Sequence, residues 1–477
     1  MAKSPFTKRD EHREVTRRAL IKWSVAAGAA LGVSRSKVFE ILEKTAGKET
    51  AFAASENPTT RSVHIIAGNG GAAWFTLLWP HNDIAAANNA TFAWHRPGES
   101  MLVPGTDKPL TVGPDTPFRD LPAARQMTVF QAGANETHTA TPTSVLTLNG
   151  SNIISVASAL QSTSPSVIPL ITIGVADAGT APGAARPANV NNADGIVGLF
   201  NSAASRAGGL LSKTTDAQLY KAHYDAFAQL NKAQARSTQK AAYLTASNAA
   251  AFLGTNLSAK LQIVQADLDR YGIDGTTRAN VRDIGRALIV AVKAFKMGLT
   301  NAVALPAMRD DPHGAFADGS AMSVPPMLKK VFDGFMTDLK NTTDDNTGKI
   351  LADDTVMTIC GDTTKNPLQR GGWPDGTPNN SNVVWVYSAG HLKSGWFGGT
   401  RRDNTAQGFD ASGNTAAYNG GTTSRYAMAS IAYAIAKRDE RAITAFANGT
   451  TVANNFGNPK ELESSLRRPR RVKSASF

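Results

Sequence analysis

One cysteine, Cys360, is all that 477 residues provide, so an intramolecular disulfide is excluded. Such a chain suits folding in a reducing compartment. Cys360 follows the apolar run Val356-Met357-Thr358-Ile359 with no histidine adjacent in sequence; it reads as a buried strand residue rather than an activated nucleophile. Aromatic residues make up only 7% of the chain while glycine numbers 41, the balance of a loop-rich globular protein. No stretch reaches the roughly 20 apolar residues of a bilayer-crossing helix; the uncharged run Trp23–Val33 covers 11. Two phosphate-binding signatures are missing as well. Gly68-Asn69-Gly70 is followed by Gly71-Ala72-Ala73, which lacks the third glycine of a dinucleotide fingerprint, and no G-x-x-x-x-G-K-[ST] loop occurs.

The formal net charge of +12 looks at first like a nucleic-acid signal. Its distribution excludes that reading. Residues 1–53 hold 11 Lys/Arg against 6 Asp/Glu, residues 459–477 hold 6 against 2, and the body between them carries 33 against 30. The compact basic run Arg467-Arg468-Pro469-Arg470-Arg471-Val472-Lys473 fits either contact with an anionic surface or a solvated terminus.

What the N-terminal region does have is Arg17-Arg18, followed by Ala19-Leu20-Ile21-Lys22 and then Trp23–Val33. Paired arginines, a short apolar core and later small residues are the parts of a twin-arginine export signal. Ala51-Phe52-Ala53 supplies a small-residue cleavage site with Ala54 as the first mature residue; an earlier cut near Ala29 or Ala30 is the alternative. The expectation is delivery by the twin-arginine translocase to the periplasm or the exterior, with no stable membrane span. The competing reading is a basic amphipathic helix with a chance arginine pair.

Beyond the signal, 54–477 reads as a single α/β domain of 424 residues. Arg61–Ala67 is predicted as a first strand, turned by Asn69-Gly70-Gly71 into a helix-capable segment, Ala72–Trp79. Residues 80–140, rich in Pro, Asn, Gly and Thr, are predicted mostly as loop. Val145–Leu148, Val167–Ile173, Ala302–Leu305, Val356–Cys360 and Val383–Val386 read as strands. The stretch 205–300 changes character: Ile284, Leu288, Val292 and Phe295 recur at helical spacing, as do Tyr220, His223, Tyr224, Phe227 and Leu230, which predicts three or four helices with His223 packed on an aromatic face. Met327–Leu339 and Ser424–Lys437 read as further helices. Alternating strands and helices predict a mixed, mostly parallel sheet sandwiched by helices.

Functional groups on such sheets gather in loops beyond the strand C-termini. Three loops qualify: Asn69-Gly70-Gly71, Asp310-Asp311-Pro312-His313 and Gly361-Asp362. Asp311, His313 and Asp362 together offer the oxygen and nitrogen donors of a divalent metal site. The bland alternative leaves the acidic loop solvated and Asp362 as a turn or helix cap. The segment Gly371–Thr377 reads as a turn-rich loop with an exposed Trp373.

The order of these motifs resembles a family of twin-arginine-exported bacterial proteins of unknown function, distantly related to alkaline phosphatases and arylsulfatases. The resemblance rests on the signal, the strand-Gly-Gly opening, the Asp311/His313 loop, the helix and strand of 327–360, and Ala389–Thr400. It implies an alkaline-phosphatase-like α/β sandwich with metal at the strand ends, Asp311 and His313 matching an Asp-x-His loop and Asp362 lying near a further acidic position. The chain departs from the active relatives in two places. Asn69 stands where those hydrolases place a metal-binding aspartate, and Ser381-Asn382 stands where Asp-His is expected. The catalytic nucleophile stays unassigned. Two readings follow: a metal-dependent hydrolase of phosphate or sulfate esters, or a non-catalytic exported binding or assembly protein that retains the fold.

Overall fold

The computed structural model describes residues 59–80, 83, 99–164, 166–174, 178–200, 252, 256–375 and 377–450. The arginine pair Arg17-Arg18, the cleavage residues Ala53 and Ala54, most of 205–255 with His223, and the tail 459–477 lie outside the described residues. The fold is α/β, with a large mixed, mostly parallel sheet and helices. Its strands are β1 (Arg61–Ala67), β2 (Met127–Ala134), β3 (Leu170–Ile173), β4 (Ala188–Val190), β5 (Ala302–Pro306), β6 (Thr355–Gly361), β7 (Ser381–Tyr387) and β8 (Gly395–Phe397), in the order β8-β2-β7-β6-β1-β5-β3-β4. Among the described residues no helix is long and apolar enough to cross a membrane.

The chain divides into two compact units. The first takes the described residues up to His64, with Ile154–Pro306 and Lys330–Asp354. Here β3 pairs in parallel with both β4 and β5; β3 and β5 are the buried apolar runs expected of a parallel sheet. The helix Ala279–Lys296 buries Val281, Ile284, Leu288, Val292 and Phe295 on one face, the i, i+3, i+4 stripe of an amphipathic helix. Buried charges are paired. Arg61 reaches Asp344 and donates to Thr300 O at 2.9 Å, and Asp267 meets Lys293 at 2.5 Å and Arg270 at 2.7 Å. Burial alone pushes the Asp267 carboxyl upward, but the hydrogen bonds from Lys293 and Val264 N–H, with Arg270, hold it below its ordinary value.

The second unit comprises Ile65–Ile153, Ala307–Lys329 and the described residues from Thr355 onward. The strand β7 runs antiparallel to β6 on one side and to β2 on the other. Therefore β6 and β2 point the same way, and the loops that follow them leave at one end. The register shifts between Ser381 and Val383, so that Asn382 faces two residues of β2, Ala132 and Gly133. Trp385 of β7 stacks on Trp79 at 5.3 Å, and Phe130 of β2 lies 5.6 Å from Phe397 of β8. The final long helix, Gly420–Ile435, opens with Asn419 accepting from Thr422 N–H at 3.0 Å. Its first residue sits so close to β2 that a Cβ on Gly420 would lie 2.8 Å from Gly133 O.

Three local expectations are corrected. Within 80–140, expected mostly as loop, Met127–Ala134 is an eight-residue strand inside the sheet that the sequence reading did not place. Trp373 is fully buried, edge-on to Phe316 at 5.3 Å, since its ring has an aromatic partner within the loop layer. The helix anticipated at 327–339 runs from Ser320 to Asn341 and carries Pro325 and Pro326 inside it.

Candidate metal centre

Four side chains converge at the end of the second unit where β2 and β6 finish: His138, Asp311, His313 and Asp375 each offer a ligand atom, all within 4.8 Å of one another. Three loops deliver them. The β2 loop is drawn toward the β6 loop by Glu136 N–H donating to Asp362 O at 3.0 Å and Thr363 Oγ1 donating to Glu136 O at 3.2 Å. The Glu136 carboxylate accepts from Thr143 N–H, Thr143 Oγ1 and Ser144 N–H at 2.7–2.8 Å and so braces the same loop. His138 is held with φ +53°, a left-handed conformation that costs an L-residue energy and is sustained by its surroundings. The Asp311 loop leaves β5 with Ala307 N–H on Ile66 O at 2.9 Å. The β6 loop folds back so that Lys365 and Asp375 form an antiparallel bridge.

Asp311 is the hub. Its Oδ2 lies 2.8 Å from His138 Nε2 and 2.9 Å from His313 Nε2, and its Oδ1 lies 2.6 Å from Lys365 Nζ. Asp375 ion-pairs with the same Lys365 ammonium and stands 3.8 Å from His138 Nε2 and 3.9 Å from His313 Nε2. Lys365 Nζ is also 3.0 Å from His313 Nε2, and the Lys365 side chain is fully buried. The imidazoles are open: His138 is 48% and His313 43% exposed.

The donor chemistry of this set fits a divalent cation. His313 Nδ1 stands 3.0 Å from Gly372 O, and a carbonyl only accepts, so Nδ1 carries a proton and this bond orients the ring with Nε2 toward Asp311. That Nε2 lies 2.9 Å from Asp311 Oδ2 and 3.0 Å from Lys365 Nζ. Ligand bonds of about 2.0–2.1 Å in a tetrahedral shell place ligand atoms roughly 3.3 Å apart. The distances here bracket that spacing, 2.8 and 2.9 Å on the Asp311 side and 3.8 and 3.9 Å on the Asp375 side. All four ligand atoms lie within 4.8 Å of one another.

Of the sequence-selected residues, Asp311 and His313 stand in this group, and Asp362 stands behind it. The Asp362 carboxylate is buried and accepts from Gly70 N–H at 2.7 Å. Burial raises its pKa, with the Gly70 and Thr363 backbone N–H groups opposing. Gly70 joins the two levels: its N–H serves Asp362, while a Cβ in its place would lie 2.6 Å from Asp311 Cβ. Thus the three loops singled out in the sequence do meet. Asn382 and Ser381 act on the backbone. Asn382 Nδ2 donates to Asp362 O at 2.8 Å, Gly361 O at 3.1 Å and Ala134 O at 3.3 Å, and Ser381 Oγ accepts from Gln131 Nε2 at 2.7 Å.

Sequence reasoning missed His138, Asp375 and Lys365. The signal available for His138 was the apolar run Met127-Thr128-Val129-Phe130 upstream; a strand read there would have put His138 in a C-terminal loop. Cys360 is buried in β6, its thiol pushed up to about 12 by burial, and takes no part. Comparison with protein-family models, with curated protein sequences and with solved structures finds no significant match.

Proposed function

We propose that this chain is an exported, metal-dependent hydrolase of phosphate or sulfate esters, carried by the twin-arginine translocase to the periplasm or beyond and distantly akin to the alkaline phosphatases and arylsulfatases. The observation that carries the metal part is the approach of Asp311 Oδ2 to the Nε2 atoms of both His138 and His313, at 2.8 and 2.9 Å. A divalent ion held by such donors polarises an ester oxygen and acidifies a bound water. The chain's own contribution is placement. His138, Asp311, His313 and Asp375 would hold the ion, Gly372 O fixes the His313 ring, and Lys365 offsets part of the carboxylate charge. The two exposed imidazoles mark the side from which an ester would enter. The link to the superfamily is analogy of fold class and motif order.

A second reading, a non-catalytic exported binding or assembly protein, is supported by Ser381 and Asn382. Where the active relatives carry ligands, these two are committed to Gln131 and to three backbone carbonyls. One experiment separates the readings: the metal content and ester hydrolysis of the mature exported chain, compared with Asp311→Ala/His313→Ala. The expected result is one divalent ion per chain, a zinc affinity on the order of 100-fold or more lower in the variant, and ester hydrolysis lost with it. Metal without hydrolysis selects the second reading, and no metal in either protein removes the hydrolase reading.

A further inference from the structure

We propose that Lys365 is a built-in competitor for the metal centre, and that it sets how tightly the site takes a divalent ion; this rests on the metal reading above. The ammonium sits against the same two carboxylates and the same imidazole that a metal would use. Nζ contacts Asp311 Oδ1 at 2.6 Å, ion-pairs with Asp375 Oδ1, and lies 3.0 Å from His313 Nε2. Nothing about this lysine resembles a surface ion pair. Its side chain is fully buried, its backbone is bridged to that of Asp375, and burying an amine at such a position is tolerable only because two carboxylates face it.

Two consequences follow from that placement. In the metal-free chain Lys365 holds Asp311 and Asp375 together, so the loops stay assembled without an ion. When an ion enters, the pinned ammonium remains at contact distance. Even with the full dielectric of water, a divalent ion and an ammonium about 4 Å apart repel by about 2 kcal/mol, which is roughly 30-fold in affinity. The lysine therefore trades metal affinity for a site that is preassembled when empty, and it predicts an ion bound weakly enough to exchange.

The test is calorimetric titration of the mature chain with Zn²⁺, for wild type, Lys365→Met and Lys365→Gln, each with its thermal midpoint measured with and without zinc. The expected result is zinc binding at least about tenfold tighter in both variants than in wild type. The variants should also melt lower than wild type without zinc and gain more from its addition. The glutamine variant keeps a hydrogen-bonding side chain at the position if the methionine variant fails to fold. Asp311→Ala in the Lys365→Gln background must abolish the gain, which ties it to this site. Wild type that binds zinc together with variants that bind equally or more weakly overturns the competitor role and leaves the metal reading standing. Absence of binding in all three overturns both. Binding in the variants alone supports the proposal in its strongest form.

Discussion

Gly70 shows how a single position ties the opening loop to the candidate metal centre. Its φ of +85° lies in the region open to glycine, and an added Cβ would meet Asp311 Cβ at 2.6 Å. Gly70→Ala is expected to cost on the order of 2 kcal/mol or more in chemical denaturation, from backbone strain and overlap together. It should also weaken zinc binding, because Asp311 must retreat. A variant of normal stability and unchanged zinc affinity would show that the contact does not position Asp311. At this scale the sequence was half legible. The Asp311-Pro312-His313 spacing flagged two members of the cluster, whereas His138 is a lone histidine in a polar stretch, marked only by the apolar run Met127–Phe130 upstream.

Among elements, the centre depends on how β7 lies between β2 and β6. Where the register shifts, Asn382 faces Ala132 and Gly133 of β2 and donates its amide to Ala134 O, Gly361 O and Asp362 O at the ends of both neighbours. Asn382→Ala leaves those buried acceptors short of a donor, at an expected cost of about 2–3 kcal/mol. Because the clamp joins the strand ends from which the His138 and Asp375 loops depart, zinc affinity should fall as well. Equal urea midpoints for variant and wild type would remove the clamp from the account. The strand β2 escaped sequence reading because Gln131 and Gly133 interrupt its apolar pattern. The structure gives both a tertiary reason to be there. Gln131 bonds Ser381 Oγ at 2.7 Å, and Gly133 stands where a Cβ would lie 2.6 Å from Val145.

For the whole molecule, buried histidine makes stability depend on acidity. His64 in β1 is fully buried, and burial lowers its pKa from 6.5 to about 4. The unfolded chain binds this proton more readily than the folded one. Stability from the neutral ring is therefore complete above pH 6.5 and is lost as pH falls from 6.5 toward about 4, by up to about 3 kcal/mol. His391, also lowered to about 4 by burial and by Arg438 and Lys437, adds in the same direction. Asp362 opposes them: its raised pKa makes the charged form costly at neutral pH, and that cost is relieved as the carboxyl protonates on acidification. Comparison with His64→Leu isolates the histidine, and thermal midpoints between pH 7.5 and 4.5 should fall less steeply in the variant. Parallel curves would assign the acid sensitivity elsewhere.

The sequence by itself determined the α/β class, the strands at Arg61–Ala67, Ala302–Leu305, Val356–Cys360 and Val383–Val386, and the pairing of Asp311 with His313, because each of these is written in a short run of residues. Hydrophobic periodicity and turn chemistry act over a few neighbours, and that is the range over which they can be read. Only the tertiary structure decided that His138, Asp375 and Lys365 join Asp311 and His313. The physical reason is the sheet order. It sets β2 and β6 on either side of β7, both pointing the same way, and loops far apart in the chain then share one end. It also decided that Asp362 lies beneath the cluster, where the Gly70 N–H and its own burial hold it out of the ligand group.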